Sequence, residues 1–301
     1  MRKPAKGGVA VAAAFEELKK AHPCFSLGAK SNKGRIHLPV SPGCNIFCSF
    51  CKRDINDADN RPGVSRGIIS PQEAVELVKR AIELCPDITV AGVAGPGDSL
   101  ATPYALESFR LIKKEFPHII KCMSTNGLLL PDYADEIIDV GIDSLTVTVN
   151  AVDPEVQARI CESIIYHGRR YEGVEAAKIL IRNQLEGIRK VAGAGTTVKV
   201  NTVLIPEINA DHVVEVAKTS AECGARIFNI IPLIPQHKLS WCSAPDCGLI
   251  SRVRSEAQKY ISVFRHCQRC RADAAGIPGG LDVSGQLYIR PISLENTFSH
   301  G

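Results

Sequence analysis

RIHLPVSPGCNIFCSFC, residues 35–51, sets three cysteines, Cys44, Cys48 and Cys51, at C-x3-C-x2-C spacing directly after a strand-like run. Three thiols on one short loop make a metal site. Structural zinc takes four closed protein ligands, and this loop supplies three, which suits a four-iron, four-sulfur cube with one iron left open to bind a substrate. A zinc knuckle or a set of buried unpaired thiols is the alternative reading of the same residues.

Working outward, the chain has 301 residues, 45% of them hydrophobic, enough to bury a large core as one α/β barrel or as two smaller domains. Its twelve cysteines come without a signal-peptide pattern, and the apolar run at 9–15 is too short to span a bilayer. These features predict a reducing, cytoplasmic location, where clustered thiols bind metal more often than they pair. The net charge of +4 is small and the basic residues are scattered. That argues against nucleic acid and leaves a small molecule or a protein as partner.

In chain order, residues 1–8, MRKPAKGG, read as a mobile basic leader and 9–21 as a helix ending before Pro23. His22 and Cys24 follow; alone, H-P-C is a packing detail. A first strand is expected at 35–40, with Pro42 and Gly43 turning into the cysteine loop. Ser70, Pro71 and Glu73 form a capping-box signature for a helix to about Leu84. Strands are then expected at 88–94, 119–124, 144–149, 197–205 and 226–231, and helices at 103–115, 131–140 and 210–223. Residues 153–192 read as a longer polar helical stretch, with HGRRYEG at 167–173 as a surface turn between two helices, a candidate lid. A further helix is expected at 249–264. Six strands alternating with helices imply a parallel sheet with right-handed crossovers, and periodicity alone allows either a barrel or a doubly wound sheet.

Strand ends on one side of a parallel barrel converge on one site. After the second strand stands AGPGD, with Gly95, Pro96, Gly97 and Asp98; its glycines let backbone approach a ligand, and Asp98 suits an ammonium. After the third stands STNG, where Ser124 and Asn126 suit a ribose or carboxylate. Asn150 and Asn201 place amides on otherwise apolar strands, and each needs a partner, from ligand or backbone. As isolated features all of these read equally well as turns and satisfied core amides.

Phe50 before Cys51 and Arg53 after it complete a pattern that resembles the radical S-adenosylmethionine (SAM) superfamily. The resemblance sharpens with HPCFS at 22–26, NRPGV at 60–64, VAGPGD, CMSTNGLLLPDY, TVTVNAVDP, NTVLIPEIN and HCQRCRADAAG, which together are similar to the NifB family over about residues 22–276. That family makes the iron–sulfur–carbide precursor of the nitrogenase cofactor. The resemblance implies an open, partial (β/α)6 TIM-type barrel at 35–235, an N-terminal extension at 1–34 and a C-terminal extension at 236–301 carrying auxiliary cluster ligands, both extensions covering the barrel mouth. It implies a SAM-binding 4Fe-4S cluster on Cys44, Cys48 and Cys51, with SAM gripped by the strand ends and Phe50. Two further 4Fe-4S clusters would be substrates, fused with a SAM-derived carbide into an eight-iron product. Cys24, Cys267 and Cys270 would be their ligands, Cys122 would face the same cavity, and His22 or His266 would complete a set. Implied partners are SAM, cluster donors, an electron donor such as a ferredoxin, and a separate carrier or scaffold protein, since the chain stops without the carrier-like domain of some members.

The sequence also departs from the family. Many members carry a further cysteine after the SAM-cluster motif and a Glu before R-P-G; here KRDINDADNRPG offers Asp54, Asp57 and Asp59 instead. Many carry His where this chain reads GAKSNKGR, with Lys30. Cys267 and Cys270, with Cys242 and Cys247 nearby, also fit a zinc or redox pair. Cys85, Cys161 and Cys223 lie in helical patterns and read as inert core. The rival functions are a radical SAM enzyme acting on a small molecule or peptide, and a non-catalytic iron–sulfur carrier.

Overall fold

The computed structural model describes residues 6–288. Its strands, in chain order, are β1 (Gly34–His37), β2 (Ile46–Cys48), β3 (Asp54–Ile55), β4 (Val64–Ser65), β5 (Ile88–Val93), β6 (Ile120–Thr125), β7 (Ser144–Thr148), β8 (Cys161–Tyr166), β9 (Arg169–Glu172), β10 (Thr197–Leu204), β11 (Ile227–Pro232), β12 (Ser262–Phe264) and β13 (Ala275–Gly276). The six expected strands, β1, β5, β6, β7, β10 and β11, lie side by side and parallel in the order of the sequence. The sheet extends further at both edges: β12 adds parallel to β11, and β13 adds antiparallel to β1. The two edges do not pair with each other, so the sheet is an open, partial barrel.

Helices cover the outside. The helix Pro71–Leu84 starts at the expected capping box, with Ser70 and Glu73 satisfying each other's backbone N–H groups. Alternation divides each strand between two environments. Ile36, Met123, Leu145, Val147, Val198 and Val200 enter the sheet–helix core. Their neighbours Arg35, His37, Cys122, Ser124, Thr146, Thr148, Lys199 and Asn201 turn inward and line a cavity.

Three expectations are corrected. The stretch at 153–192 is not continuously helical: a short helix, Pro154–Ala158, is capped by Asp153, then β8 and β9 form a hairpin, and the long helix Gly173–Gly193 follows. The hairpin turns at His167 and Gly168, both with positive φ (48° and 75°), the backbone of a tight two-residue hairpin turn. β8 pairs antiparallel with β2, so this hairpin backs the cysteine loop. The helix expected at 249–264 ends at Ala257, and buried Ile261 and Val263 turn the following segment into an edge strand. Lys6–Ala21 is one helix, so residues 6–8 are not part of a leader; residues 1–5 and the tail from 289 lie outside the described residues. Among the described residues no helix is long and apolar enough to cross a membrane.

The N-terminal segment is tied down by Leu18 and Phe25, which pack on Ile227 and Phe264, and by the Thr89 hydroxyl, which donates to the Ala21 carbonyl at 2.6 Å. The C-terminal segment runs antiparallel along β1 and is stapled to the loop at 56–66. Buried Asp273 accepts from the Arg271 guanidinium at 2.8 Å and from that of Arg66 at 3.2 Å. Arg271 in turn donates to the carbonyl oxygens of Asn56 and Asp59.

Candidate active site

The cysteine loop is held on two sides. Behind it, β2 pairs with β8 and the Ser49 N–H donates to the Ile160 carbonyl at 2.9 Å. In front, Gly97 N–H donates to the Ser41 carbonyl at 2.8 Å and Asp98 N–H to the Gly43 carbonyl at 2.7 Å. A Cβ on Gly97 would sit 1.9 Å from the Gly43 oxygen, so this position tolerates only glycine. The close approach expected between the AGPGD glycines and a ligand is, at Gly97, an approach to the cysteine loop itself.

Cys44, Cys48 and Cys51 line a cavity of about 360 Å³ running into the barrel. Burial pushes the Cys44 thiol up to about 12, with the Asp98 carboxylate adding to it. Burial likewise raises Cys51 against the opposing pull of Arg53 and Arg61. Cys48 is raised first by a hydrogen bond with the Cys161 thiol and then by burial. Without a metal these thiols keep their protons; a metal cluster would displace them. Among the described residues no three His, Cys, Asp or Glu side chains close around a single ion. The thiols instead ring one cavity, a donor set that fits a four-iron cube held by three thiolates better than a zinc ion.

The strand ends converge on the same cavity. Asp98, 4% exposed, accepts from the backbone N–H of Asn126 at 2.5 Å, from that of Leu100 at 2.9 Å and from the Thr125 hydroxyl at 3.1 Å. Its carboxylate thus ties the end of β5 to the end of β6, and burial raises its pKa against those hydrogen bonds. The Asn126 amide donates to the Asn45 side chain at 2.7 Å and lies 3.7 Å from the Cys44 sulfur. Asn150 accepts from the Val203 N–H and Asn201 from the Asn229 amide. Ser124, Pro96, Gly97 and Phe50 line the cavity, and Phe50 also packs on an apolar cluster with Ile160 and Leu233. Gly95, at φ 116°, shapes the turn from behind and is not in the wall.

The same cavity is also lined by His22, Cys24, Arg35, His37, Cys122, Lys199, Cys270 and the exposed Cys267. Cys24 is pushed up to about 12 by burial, opposed by Lys199 and reinforced by Cys270 and Cys122, so the three distant cysteines share one electrostatic environment. Arg35 donates to the Cys270 sulfur at 3.2 Å, and the Cys122 thiol lies 3.6 Å from the Ser144 hydroxyl. The two histidines differ in tautomer. His22 Nδ1 accepts the Cys24 N–H at 3.1 Å, which leaves the proton on Nε2, a buried atom with no partner. His37 Nδ1 lies 2.9 Å from the Arg271 carbonyl, which can only accept, so the proton is on Nδ1 and the Nε2 lone pair is open. His37 is thus the better-prepared metal ligand. With Arg35 and Lys199 it was missed in the sequence, although all three occupy alternate, inward positions of strands.

The aspartates that stand near the family's further cysteine do not line the cavity. Asp59 pairs with Arg61 at 2.9 Å, Asp57 with Arg66 at 3.0 Å, and Asp54 accepts the Ile55 N–H. Lys30 does line it. Cys242 is buried in the Phe50 cluster and Cys247 is exposed at a helix start, so neither joins Cys267 and Cys270. Cys85 and Cys223 are buried at helix ends, as expected of inert thiols. Cys161 is not in a helix: it opens β8 directly opposite Cys48.

A model of the radical SAM superfamily matches residues 38–219. The FeMo cofactor biosynthesis protein NifB of Methanocaldococcus infernus is 47% identical over 265 residues, covering 87% of this chain and 87% of that protein. The same-named protein of Methanocaldococcus jannaschii is 44% identical over 265 residues, covering 87% of this chain and 88% of its own. Among solved structures, a radical SAM methyltransferase from Sphaerobacter thermophilus superposes with a TM-score of 0.56 at 18% identity, over 77% of this chain and 65% of that one, a likeness of fold.

Proposed function

Because the chain belongs to the radical SAM superfamily and, within it, to the NifB family, we propose that it works in biosynthesis of the nitrogenase iron–molybdenum cofactor, fusing two four-iron clusters around a SAM-derived carbide to give an eight-iron precursor. The observation that carries this reading is the placement of two donor sets, Cys44–Cys48–Cys51 and Cys24–Cys122–Cys267–Cys270 with His37, in the walls of one cavity. Substrate clusters held by the second set would share that cavity with the SAM site.

In this reading Cys44, Cys48 and Cys51 would hold the SAM-binding cluster, which together with SAM would supply a methyl carbon and radical chemistry there. Ser124, Asn126, Asn150, Asn201 and the Pro96–Gly97 turn shape the SAM pocket. Asp98 fixes that pocket by joining two strand ends. Cys24, Cys122, Cys267, Cys270 and His37 hold the substrate clusters, and Phe50 seals the cavity from one side. Asp54, Asp57 and Asp59 stand outside the cavity wall, so no carboxylate of that loop would serve as a substitute ligand. The electron donor would be a ferredoxin-type protein and the acceptor a separate carrier. The location would be the cytoplasm, where thiols remain reduced.

The test is anaerobic reconstitution followed by SAM addition, with iron per chain, 5′-deoxyadenosine and S-adenosylhomocysteine measured together. The product is then offered to cofactor-free nitrogenase. Cleavage of SAM with no activation of nitrogenase would return the chain to a radical SAM enzyme of other substrate.

A further inference from the structure

Lys199 sits in β10 between Val198 and Val200, both of which enter the sheet–helix core, while its own side chain turns into the cavity. It is 7% exposed. Its ammonium stands 5.7 Å from the centre of the Phe25 ring and 5.9 Å from that of Phe264, one ring from each terminal segment. Among the described residues Lys199 has no carboxylate within 4.0 Å. Arg35, also 7% exposed, is in the same position: it donates to the Gly276 carbonyl and the Cys270 sulfur, and its Nε is buried without a partner. Two buried cations thus face one cavity, and among the described residues neither is within 4.0 Å of a carboxylate.

Burying an ion costs several kcal/mol unless an opposite charge offsets it, and aromatic faces return only part of that. The missing negative charge must come from what the cavity receives. The neighbours identify it. Lys199 lines the same cavity as His22, Cys24, His37 and Cys122. Arg35 reaches the sulfur of Cys270. The cations therefore stand among thiols suited to iron. An iron–sulfur cube capped by thiolates is an anion, and its charge spreads over sulfides that a cation can approach without a bond to iron.

We propose that Lys199, supported by Arg35, is the electrostatic half of the substrate-cluster site: it holds the anionic cluster between Cys24, Cys122 and Cys270 by charge, and sets that cluster's reduction potential. This rests on the proposed function, deepening its account of the inner site.

The experiment uses the full chain in a Cys44→Ala/Cys48→Ala/Cys51→Ala background, so that retained iron belongs to the inner site. Lys199→Met and Lys199→Arg are compared with that parent for iron and sulfide per chain after desalting, for midpoint potential by spectroscopic redox titration, and for melting temperature with and without cluster. Lys199→Met is expected to melt no lower than the parent when cluster-free, because a buried unpaired charge is gone. Loaded, it should retain several-fold less iron, and what remains should have a more negative midpoint, since reduction loses a nearby cation. Lys199→Arg should keep the parent's iron and midpoint. Unchanged iron and midpoint in Lys199→Met overturn the proposal, as does an equal loss of melting temperature with and without cluster, the mark of a packing role. A parent that binds no inner iron overturns the substrate-cluster reading itself, and the proposal with it.

Discussion

The Asp98 carboxylate accepts the backbone N–H of Asn126 at 2.5 Å, joining the loop after β5 to the loop after β6 at the edge of the cavity. With Leu100 N–H and the Thr125 hydroxyl also donating to it, this side chain is a structural tie before it is a ligand. Asp98→Ala leaves buried donors unmet and should destabilise the cluster-free protein by about 1–3 kcal/mol. Asp98→Asn should not rescue it, because each carboxylate oxygen faces a backbone N–H and an amide would turn its own N–H toward one of them. Urea melts test this; a normal melt with only SAM affinity lost would make Asp98 a ligand alone.

Gly97→Ala tests the contact between the AGPGD turn and the cysteine loop. The new methyl would meet backbone atoms of Gly43 and Ser41 at 1.9 to 2.8 Å, and backbone cannot rotate away. The turn must lift, breaking the hydrogen bonds from Gly97 and Asp98 to the loop. A cost of about 1–3 kcal/mol is expected, together with reduced iron at the Cys44, Cys48 and Cys51 site. Full iron retention with an unchanged melt would show that the loops are not mechanically joined.

Much of this was legible because local signals agreed. Ser70 and Glu73 announce a helix start, and β-branched runs such as TVKVNTVLI announce strands. The errors have identifiable causes. The β8–β9 hairpin carries consecutive Ile164 and Ile165 rather than clean alternation, and its turn uses His167 before Gly168 in place of the usual Asn or Asp. β12 is three residues long, too short to show a period. Arg35, His37 and Lys199 escaped because a polar residue in a strand signals function only when the barrel tells which face is inward. The Arg271–Asp273 staple escaped because its partners are more than 200 residues away.

His37 should make the cluster-free protein acid-sensitive. Burial, then Arg35, lowers its pKa from 6.5 to about 4. The folded chain holds the imidazole neutral while the unfolded chain takes up a proton below 6.5, so the stability it contributes is present above that pH and lost as pH falls toward 4. The loss is at most about 3 kcal/mol. Asp98, raised by burial, works in the opposite sense, so the measure is the difference between wild type and His37→Gln in urea melts at about pH 7.5 and about pH 5.5, a unit either side of 6.5. Equal losses in the two proteins would remove His37 from the account.

Cys161 faces Cys48 across the β2–β8 pair, and the two thiols are hydrogen-bonded. In the cluster-free protein exposed to air these sulfurs should join as a disulfide, giving two electrons and two protons to oxygen and removing one of the three loop thiols. Peptide mapping after alkylation should find Cys48 linked to Cys161. Cys161→Ser should recover iron binding at that site after air exposure and re-reduction without a strong thiol reductant. No linked peptide, with equal recovery in both proteins, would make Cys161 a packing residue.

The double variant Cys24→Ala/Cys270→Ala decides whether the inner thiols serve clusters or only packing. The segments that carry them are held independently of any metal. Phe25 packs on Ile227 and Phe264, Ser26 caps the helix Leu27–Asn32, and Asp273 holds Arg271. The cluster-free variant should therefore fold and melt like wild type, and hydrogen exchange at 13–30 and 266–288 should stay protected. The loop of Cys44, Cys48 and Cys51 is held by β8 and by the Gly97–Asp98 turn, neither of which the variant touches, so it should keep its iron and support cleavage of SAM. Inner-site iron should be lost, because the two removed thiols lie in the same electrostatic environment as Cys122. SAM cleavage would then run uncoupled, and the product should fail to activate cofactor-free nitrogenase. Retention of all iron, or normal activation, would assign Cys24 and Cys270 to packing and leave the cavity with a single cluster.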